Sequence, residues 1–453
     1  MEDLRRIVDF RRIVLPDQKL TDESNLEVVR TNLRNEFNLI QDKVKTFSYT
    51  STRNHKIQCS KFNTVFVMSD IHADYSKFVQ TLMRNNLISF GDFIPTDVDV
   101  FDPKEIYNPQ FINNAEWIGG ERTLFLILGD LVDGKRGQNQ VNDIVGAFEL
   151  LIHCLIHNLR ISAQSNFSEV LFTIGNHDLD TVLNHPDLND PKLYLYNNYV
   201  HESSKLFFGN DPEIDKRKTV LLPFYQNSPY LFIKLMNNEK TEIVCVHAGI
   251  HMAGKNILDE GWEKIQDSMN ETGYTDVIAT TITDRPKDKE GNGPNILWTR
   301  EYLEGCPTEK DQPIVIVGHC PTPFFDNPGT CPPGRGCVAL RCKDDHEYPK
   351  VVMVDTASSK SFHADDNQAR SVEILKLSKQ SVLSDKFYKI ERQLNGEVIG
   401  TQTTPATPGV LKTWRSLLPF MKKGGSLRKP VKHKMPRTRK RRRRIKSKKQ
   451  LKR

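Results

Sequence analysis

Six short apolar runs, each broken off by a polar residue, constrain this chain more than any other feature. They are TVFVMSD (64–70), TLFLILGD (123–130), EVLFTIGN (169–176), EIVCVHAG (242–249), PIVIVGHC (313–320) and VVMVDTA (351–357). Each is rich in β-branched or aromatic residues and lacks the polar alternation of a half-exposed strand. Such runs suit strands buried on both faces. Segments of helical length fall between them, as in VNDIVGAFELLIHCLIHNL at 141–159. The pattern predicts a layered α/β domain. Its polar residues collect where strands stop and loops begin, and in open α/β sheets that edge binds ligands.

A chain of 453 residues is long enough for one large α/β domain with appendages. No run approaches the roughly 18 apolar residues of a membrane span, and no membrane partner is expected. The N-terminus, MEDLRRIVDFRRIV, mixes acids and bases without an apolar h-region, so it does not read as a secretory signal. Eight scattered cysteines suggest an intracellular, reducing compartment. Cys331, Cys337 and Cys342 are spaced too widely for a zinc knuckle, and a loop of thiols is the simpler reading. Leu26, Val29, Leu33, Phe37 and Ile40 recur at helical spacing. The domain limits expected are an N-terminal helical extension over 1–58, a catalytic domain over 59–395, a linker over 396–421 and a basic tail over 422–453.

The strand ends carry metal-ligand chemistry. Asp70 and His72 lie two residues apart, so on extended backbone both side chains point the same way. Asp130 follows Gly129, which lets the backbone approach closely, and Asp133 lies three residues on. Asn176 and His177 follow Gly175, and His247 and His319 each follow a buried strand. Singly, each of these histidines reads as a satisfied core residue as readily as a ligand. Together and in order they form a carboxylate, imidazole and amide set without thiolate, which suits Mn, Fe or Zn. Asp70, His72, Asp130, Asn176, His247 and His319 are too many ligands for one catalytic ion with an open position. They suffice for two ions sharing Asp130.

The ordered set D-x-H, G-D-x-x-D, G-N-H, H-A-G and G-H resembles the calcineurin-like metallophosphoesterase superfamily over roughly residues 60–380. Trp117-Ile118-Gly119-Gly120, LWTRE (297–301) and VDTASSKSF (354–362) are similar to the phosphoprotein phosphatase branch, in particular Shewanella-like phosphatases and their bacterial relatives. The resemblance implies a metallophosphoesterase-type β-sandwich flanked by helices, and two divalent or trivalent metal ions. It puts Asp70 and His72 on the first ion, Asp130 between the two, and Asn176, His247 and His319 on the second. His177 matches the proton donor to the leaving oxygen and Asp133 the carboxylate that orients it. Arg300 matches a phosphate-binding arginine. The family pattern continues G-D-x-x-D-R-G where this chain reads GDLVDGKRG, so Arg136 stands as the same arginine displaced by two residues. Cys320 after His319 and Asp178 in place of the usual glutamate are smaller departures.

Two cations a few ångströms apart lower the pKa of a shared water, clamp phosphate oxygens and stabilise in-line displacement. An imidazolium paired with a carboxylate supplies the proton that a poor alkoxide leaving group needs. The expectation is a phosphomonoesterase, a serine/threonine or tyrosine protein phosphatase. A nucleotide phosphohydrolase of the diadenosine tetraphosphatase type is the alternative. An inactive phosphatase-like nucleic-acid-binding protein is a third reading. Its basis is the tail: residues 422–453 hold 18 Lys+Arg and no acid, leaving 46 basic against 57 acidic residues elsewhere. So basic and apolar-poor a stretch reads as disordered. Without interleaved aromatics it suits an import receptor, hence a nuclear location, or non-specific nucleic-acid contact.

Overall fold

The computed structural model describes residues 54–90, 115–133, 144–179, 216–249, 260–273, 275, 278, 281–282, 296–299, 312–322, 337–343, 349–356, 373–379, 388–394 and 397–402. The amphipathic segment 26–40, Arg136, Arg300, most of the expected linker and the basic tail lie outside these. The chain divides into two units, Met1–Thr404 and Pro405–Arg453, and every described residue belongs to the first.

Two six-stranded sheets form this unit. One contains β2 (Thr64–Met68), β5 (Thr123–Leu128), β6 (Glu169–Thr173), β12 (Ile374–Lys379), β13 (Tyr388–Leu394) and β14 (Glu397–Gln402), in the order β14-β13-β12-β2-β5-β6. The other contains β1 (Lys56–Gln58), β7 (Phe232–Asn237), β8 (Lys240–Val246), β9 (Ile314–Val317), β10 (Ala339–Lys343) and β11 (Pro349–Met353). Its order is β1-β7-β8-β9-β11-β10. The six apolar runs split evenly. β2, β5 and β6 pair in parallel in the first sheet, as do β8, β9 and β11 in the second. A small ribbon of β3 (Ile88–Ser89) and β4 (Glu116–Trp117) completes the set.

Alternation along each strand explains the layers. Val65 and Val67 of β2 and Leu124, Leu126 and Leu128 of β5 meet Ile233, Leu235, Ile243, Cys245, Ile314 and Ile316 between the sheets. The intervening Phe66, Met68, Phe125 and Ile127 face outward onto α1 (Tyr75–Arg84) and α2 (Ile144–Gln164). Trp262, Ile265 and Met269 of α4 (Glu260–Thr272) join the same outer core as Val244, Val246, Val315 and Val317 of the second sheet. Strands covered on both faces need apolar residues at every position, which is why the runs are unbroken. α2 sits beneath the first sheet with Leu151, Leu155 and Leu159 buried, along with the polar Glu149, His153 and His157. α3 (Lys216–Asn227) supplies the buried Leu221, Phe224 and Tyr225.

Strand pairing begins at Lys56 and runs to Gln402. Six strands, β1, β3, β4, β7, β10 and β12, are not evident from the sequence, because they are very short or break the apolar run with Lys, Gln, Asn, Arg or Ser. Cys337 is not a surface thiol: it is buried and disulfide-bonded, while Cys59, Cys154, Cys245 and Cys320 are buried thiols. No helix among the described residues is long and apolar enough to cross a membrane.

Candidate active site

The strands end at one edge, and there the backbone turns sharply at the polar residues. Asp70 (φ 55°), His72 (φ 45°), Ala73 (φ 54°), Asp130 (φ 52°), Asp133 (φ 72°) and His319 (φ 62°) all adopt left-handed backbone without being glycine. Each such residue costs on the order of 1–3 kcal/mol and persists only where its surroundings hold it. Backbone hydrogen bonds do so here: Asp70 donates to the Gly129 carbonyl at 3.2 Å, His72 to that of Asp130 at 2.8 Å and Ala73 to that of Leu131 at 3.0 Å. The two loops after β2 and β5 thus stay zipped together past the sheet edge. Asp74 then caps α1 by accepting from Lys77 N–H at 3.1 Å. Gly129 (φ 75°) is required twice, since a Cβ there would also lie 2.5 Å from Gly175 N.

The second sheet delivers its residues onto the same point. His319 N–H donates to Asp70 Oδ2 at 2.9 Å. His247 Nδ1 donates to the Leu128 carbonyl at 2.7 Å. Both bonds cross from one sheet to the other, so imidazoles and carboxylates arrive together although as many as 249 positions separate them.

Asp130 is the centre. Its Oδ2 lies 3.6 Å from His72 Nε2, 3.9 Å from His177 Nε2 and 3.4 Å from His247 Nε2, while its Oδ1 accepts His177 N–H at 2.9 Å. His72, Asp130 and His177 form one group at metal-ligand spacing, and Asp130, His247 and His319 a second. Asp70 Oδ1 lies 3.8 Å from His72 Nε2. Asn176 Oδ1 lies 2.8 Å from His247 Nε2. All six expected ligands are buried and converge. His177 joins them, with Nδ1 held 2.5 Å from Asp133 Oδ2. Asn176 Oδ1 lies closer to His247 Nε2 than the Asp130 carboxylate does.

The donor set fits a metal on two observations. Asp70 Oδ1 is buried without a hydrogen-bond partner, an expensive condition for a carboxylate oxygen in a dry site. Burial also holds the His247 ring's pKa below its ordinary value. The neutral ring, its proton given to Leu128, turns a bare Nε2 toward the Asn176 and Asp130 oxygens. Lone pairs that face one another with no proton between them are what a cation reconciles.

The sequence matches the model of the calcineurin-like phosphoesterase family over residues 64–353, almost two thirds of the chain. The chain belongs to that family. It is accordingly a metal-dependent phosphoester hydrolase, and the phosphoesterase match spans every residue just described. A search of curated proteins finds no match. Among solved structures the phosphoesterase resembles a cold-active protein-tyrosine phosphatase of a psychrophilic Shewanella species (14% identity, 79% of this chain and 84% of that one, TM-score 0.43). It also resembles a protein serine/threonine phosphatase from Saccharomyces cerevisiae (12% identity, 75% and 83%, TM-score 0.35). At these scores neither adds to the family assignment.

Around the phosphoesterase site stand residues to which sequence reasoning gave no role. Asp178 accepts from the backbone N–H of Asp130 (2.9 Å), Leu131 (3.0 Å) and Gly175 (2.8 Å), and from the Tyr225 hydroxyl (2.9 Å). Glu149 Oε1 accepts the Asp133 N–H at 2.9 Å. An acid inside the apolar helix α2 was a signal for Glu149, since a buried carboxylate needs partners. Tyr225 carried none.

Proposed function

We propose that this phosphoesterase uses two metal ions to hydrolyse phosphomonoesters, and that it is a protein phosphatase acting on phosphoserine, phosphothreonine or phosphotyrosine. The position of Asp130 carries the two-ion reading: one carboxylate shared by two ligand-spaced groups is what a bridging ligand requires. Asp70, His72 and Asp130 would hold one ion, and Asp130, Asn176, His247 and His319 the other. Bound there, divalent metal supplies Lewis-acid stabilisation of phosphate charge and an acidified water.

The remaining chemistry belongs to the chain. Asp133 accepts the Nδ1–H hydrogen bond of His177 and fixes the ring, so Nε2 faces the Asp130 carboxylate at the centre of the site. From there a protonated ring gives its Nε2 proton to the departing ester oxygen, which makes a poor alkoxide a neutral alcohol. Glu149 keeps Asp133 in place by holding its backbone. The phosphoprotein preference rests on the resemblance of Trp117–Gly120, LWTRE and VDTASSKSF to the phosphoprotein phosphatase branch.

The test is Asp130→Asn beside wild type, with elemental analysis and a substrate panel. Wild type should hold close to two equivalents of manganese, iron or zinc and hydrolyse phosphopeptides. The variant should lose metal and activity together, activity by about a hundredfold or more. A single tightly held equivalent in wild type would remove the two-ion reading. Turnover of dinucleoside polyphosphates but not phosphopeptides would replace the protein substrate with a nucleotide.

A further inference from the structure

Behind the ligand loops lies a line of four buried groups: the Glu149 carbonyl, His153, Tyr225 and Asp178. His153 Nδ1 is 2.6 Å from the Glu149 carbonyl oxygen. His153 Nε2 is 3.1 Å from the Tyr225 hydroxyl. That hydroxyl is 2.9 Å from Asp178 Oδ1. None touches the reacting centre; all are buried, Asp178 and Tyr225 completely.

The line connects the metal-ligand loops to the interior of α2. A carbonyl can only accept, so His153 Nδ1 donates to Glu149. The Tyr225 hydroxyl donates to Asp178 Oδ1 and meets His153 Nε2 on its other side, so the phenol is fixed from both ends.

We infer that Asp178, Tyr225 and His153 form a buried positioning device that locks the Asp130 turn to the Gly175-Asn176 turn. Asp178 Oδ2 binds Asp130 N–H and Gly175 N–H at once, and Oδ1 binds Leu131 N–H. The side chains of Asp130 and Asn176 thereby reach the site from one rigid unit. His153 also sits on the helix that carries Glu149, whose carboxylate holds Asp133. One turn of α2 thus supports both the ligand turn and the Asp133–His177 pair. The inference rests on the metal-centre reading above, and its residues are positioning residues.

The experiment uses the full chain. Manganese binding is measured by calorimetry, and kcat and KM are measured with para-nitrophenyl phosphate across a manganese titration, for wild type, Tyr225→Phe, His153→Gln, Asp178→Asn and Asp178→Glu. Partners that orient ligands from behind typically account for about 10–100-fold in metal affinity. Tyr225→Phe and His153→Gln should weaken manganese binding about tenfold and lower kcat with KM within about twofold. Asp178→Asn should reach the upper end, because its amide turns a donor toward backbone donors. Asp178→Glu, which keeps a carboxylate, should recover most of the loss. Wild-type manganese affinity and kcat in Tyr225→Phe would overturn the inference. Should Asp178→Asn fail to fold, Tyr225→Phe, which removes one oxygen atom, decides alone. If wild type itself binds no manganese, the metal-centre reading fails; if wild type binds it and Tyr225→Phe binds it equally well, the positioning inference alone fails.

Discussion

A proton reaches the departing oxygen of a phosphate ester only if its donor is fixed within a hydrogen bond's length and turned the right way. In this phosphoesterase Asp133 does the fixing, 2.5 Å from His177 Nδ1, and the neighbouring His72 ring meets His177 edge-on with centroids 4.9 Å apart. The arrangement leaves Nε2 a single direction to face. His177→Asn therefore removes the proposed donor without removing any of the six expected ligands. We expect metal content within error of wild type. We expect kcat to fall by about 10²–10⁴ for alkyl esters such as phosphoserine peptides, the usual range for general acid catalysis. An aryl ester whose phenolate leaves unaided should suffer far less. The ratio of the two losses is the measurement; equal losses would mean that His177 serves the site in some way other than giving a proton.

At the scale of the element, the strands beneath the site do two jobs, burying the core and ending at the right place. β5 is the clearest case: flanked by β2 and β6, it packs Leu124, Leu126 and Leu128 between the sheets and Phe125 and Ile127 under the helices. Leu126→Ala leaves a cavity in the middle of that inter-sheet layer. It should destabilise the protein by about 2–5 kcal/mol in urea unfolding, with metal affinity of the folded fraction preserved, since the Gly129-Asp130 turn is held by its own hydrogen bonds. A loss under about 1 kcal/mol would mean that the layer is looser than its packing indicates. The same strand shows what a sequence can say. An unbroken apolar run ending in Gly-Asp announces both double-sided burial and a site residue, so β2, β5, β6, β8, β9 and β11 were legible. β7 (FIKLMN) and β12 (ILKLSK) alternate with polar residues and were not. The division of the runs between two sheets was hidden as well, because it depends on pairings between strands far apart in the chain. The buried polar residues that converge on Asp130 could be read from their strand ends, whereas Tyr225 became visible only once α3 had brought it against Asp178, 47 positions away.

For the molecule as a whole, buried histidines outside the candidate active site set its tolerance to acid. His55 ties the start of β1 to β7 and α4. Its carbonyl accepts Lys234 N–H at 2.7 Å, its Nδ1 accepts from Asn270 at 2.9 Å and its Nε2 donates to Glu263 at 3.1 Å. This is a bonding pattern for a neutral ring, because a second proton would collide with the Asn270 amide. Burial lowers the His55 pKa to about 4, with Lys56 adding to the effect. His157, buried in α2 near Arg160, is held well below its ordinary value for the same leading reason. In both cases the unfolded chain binds protons that the folded one refuses. Stability is therefore at its full value above about pH 6.5, the ordinary histidine value, and falls as the pH drops toward 4. His55 alone accounts for up to about 3 kcal/mol of that fall. Urea midpoints measured between about pH 7 and about pH 4.5 on protein stripped of metal, so that ligand protonation is not read as unfolding, should decline steadily. His55→Gln keeps an amide for Asn270 and Glu263 but no titrating ring, and should flatten the slope by the His55 share. A slope unchanged by that substitution would show that His55 is already protonated in the folded protein, with no Asn270 amide donating to its ring.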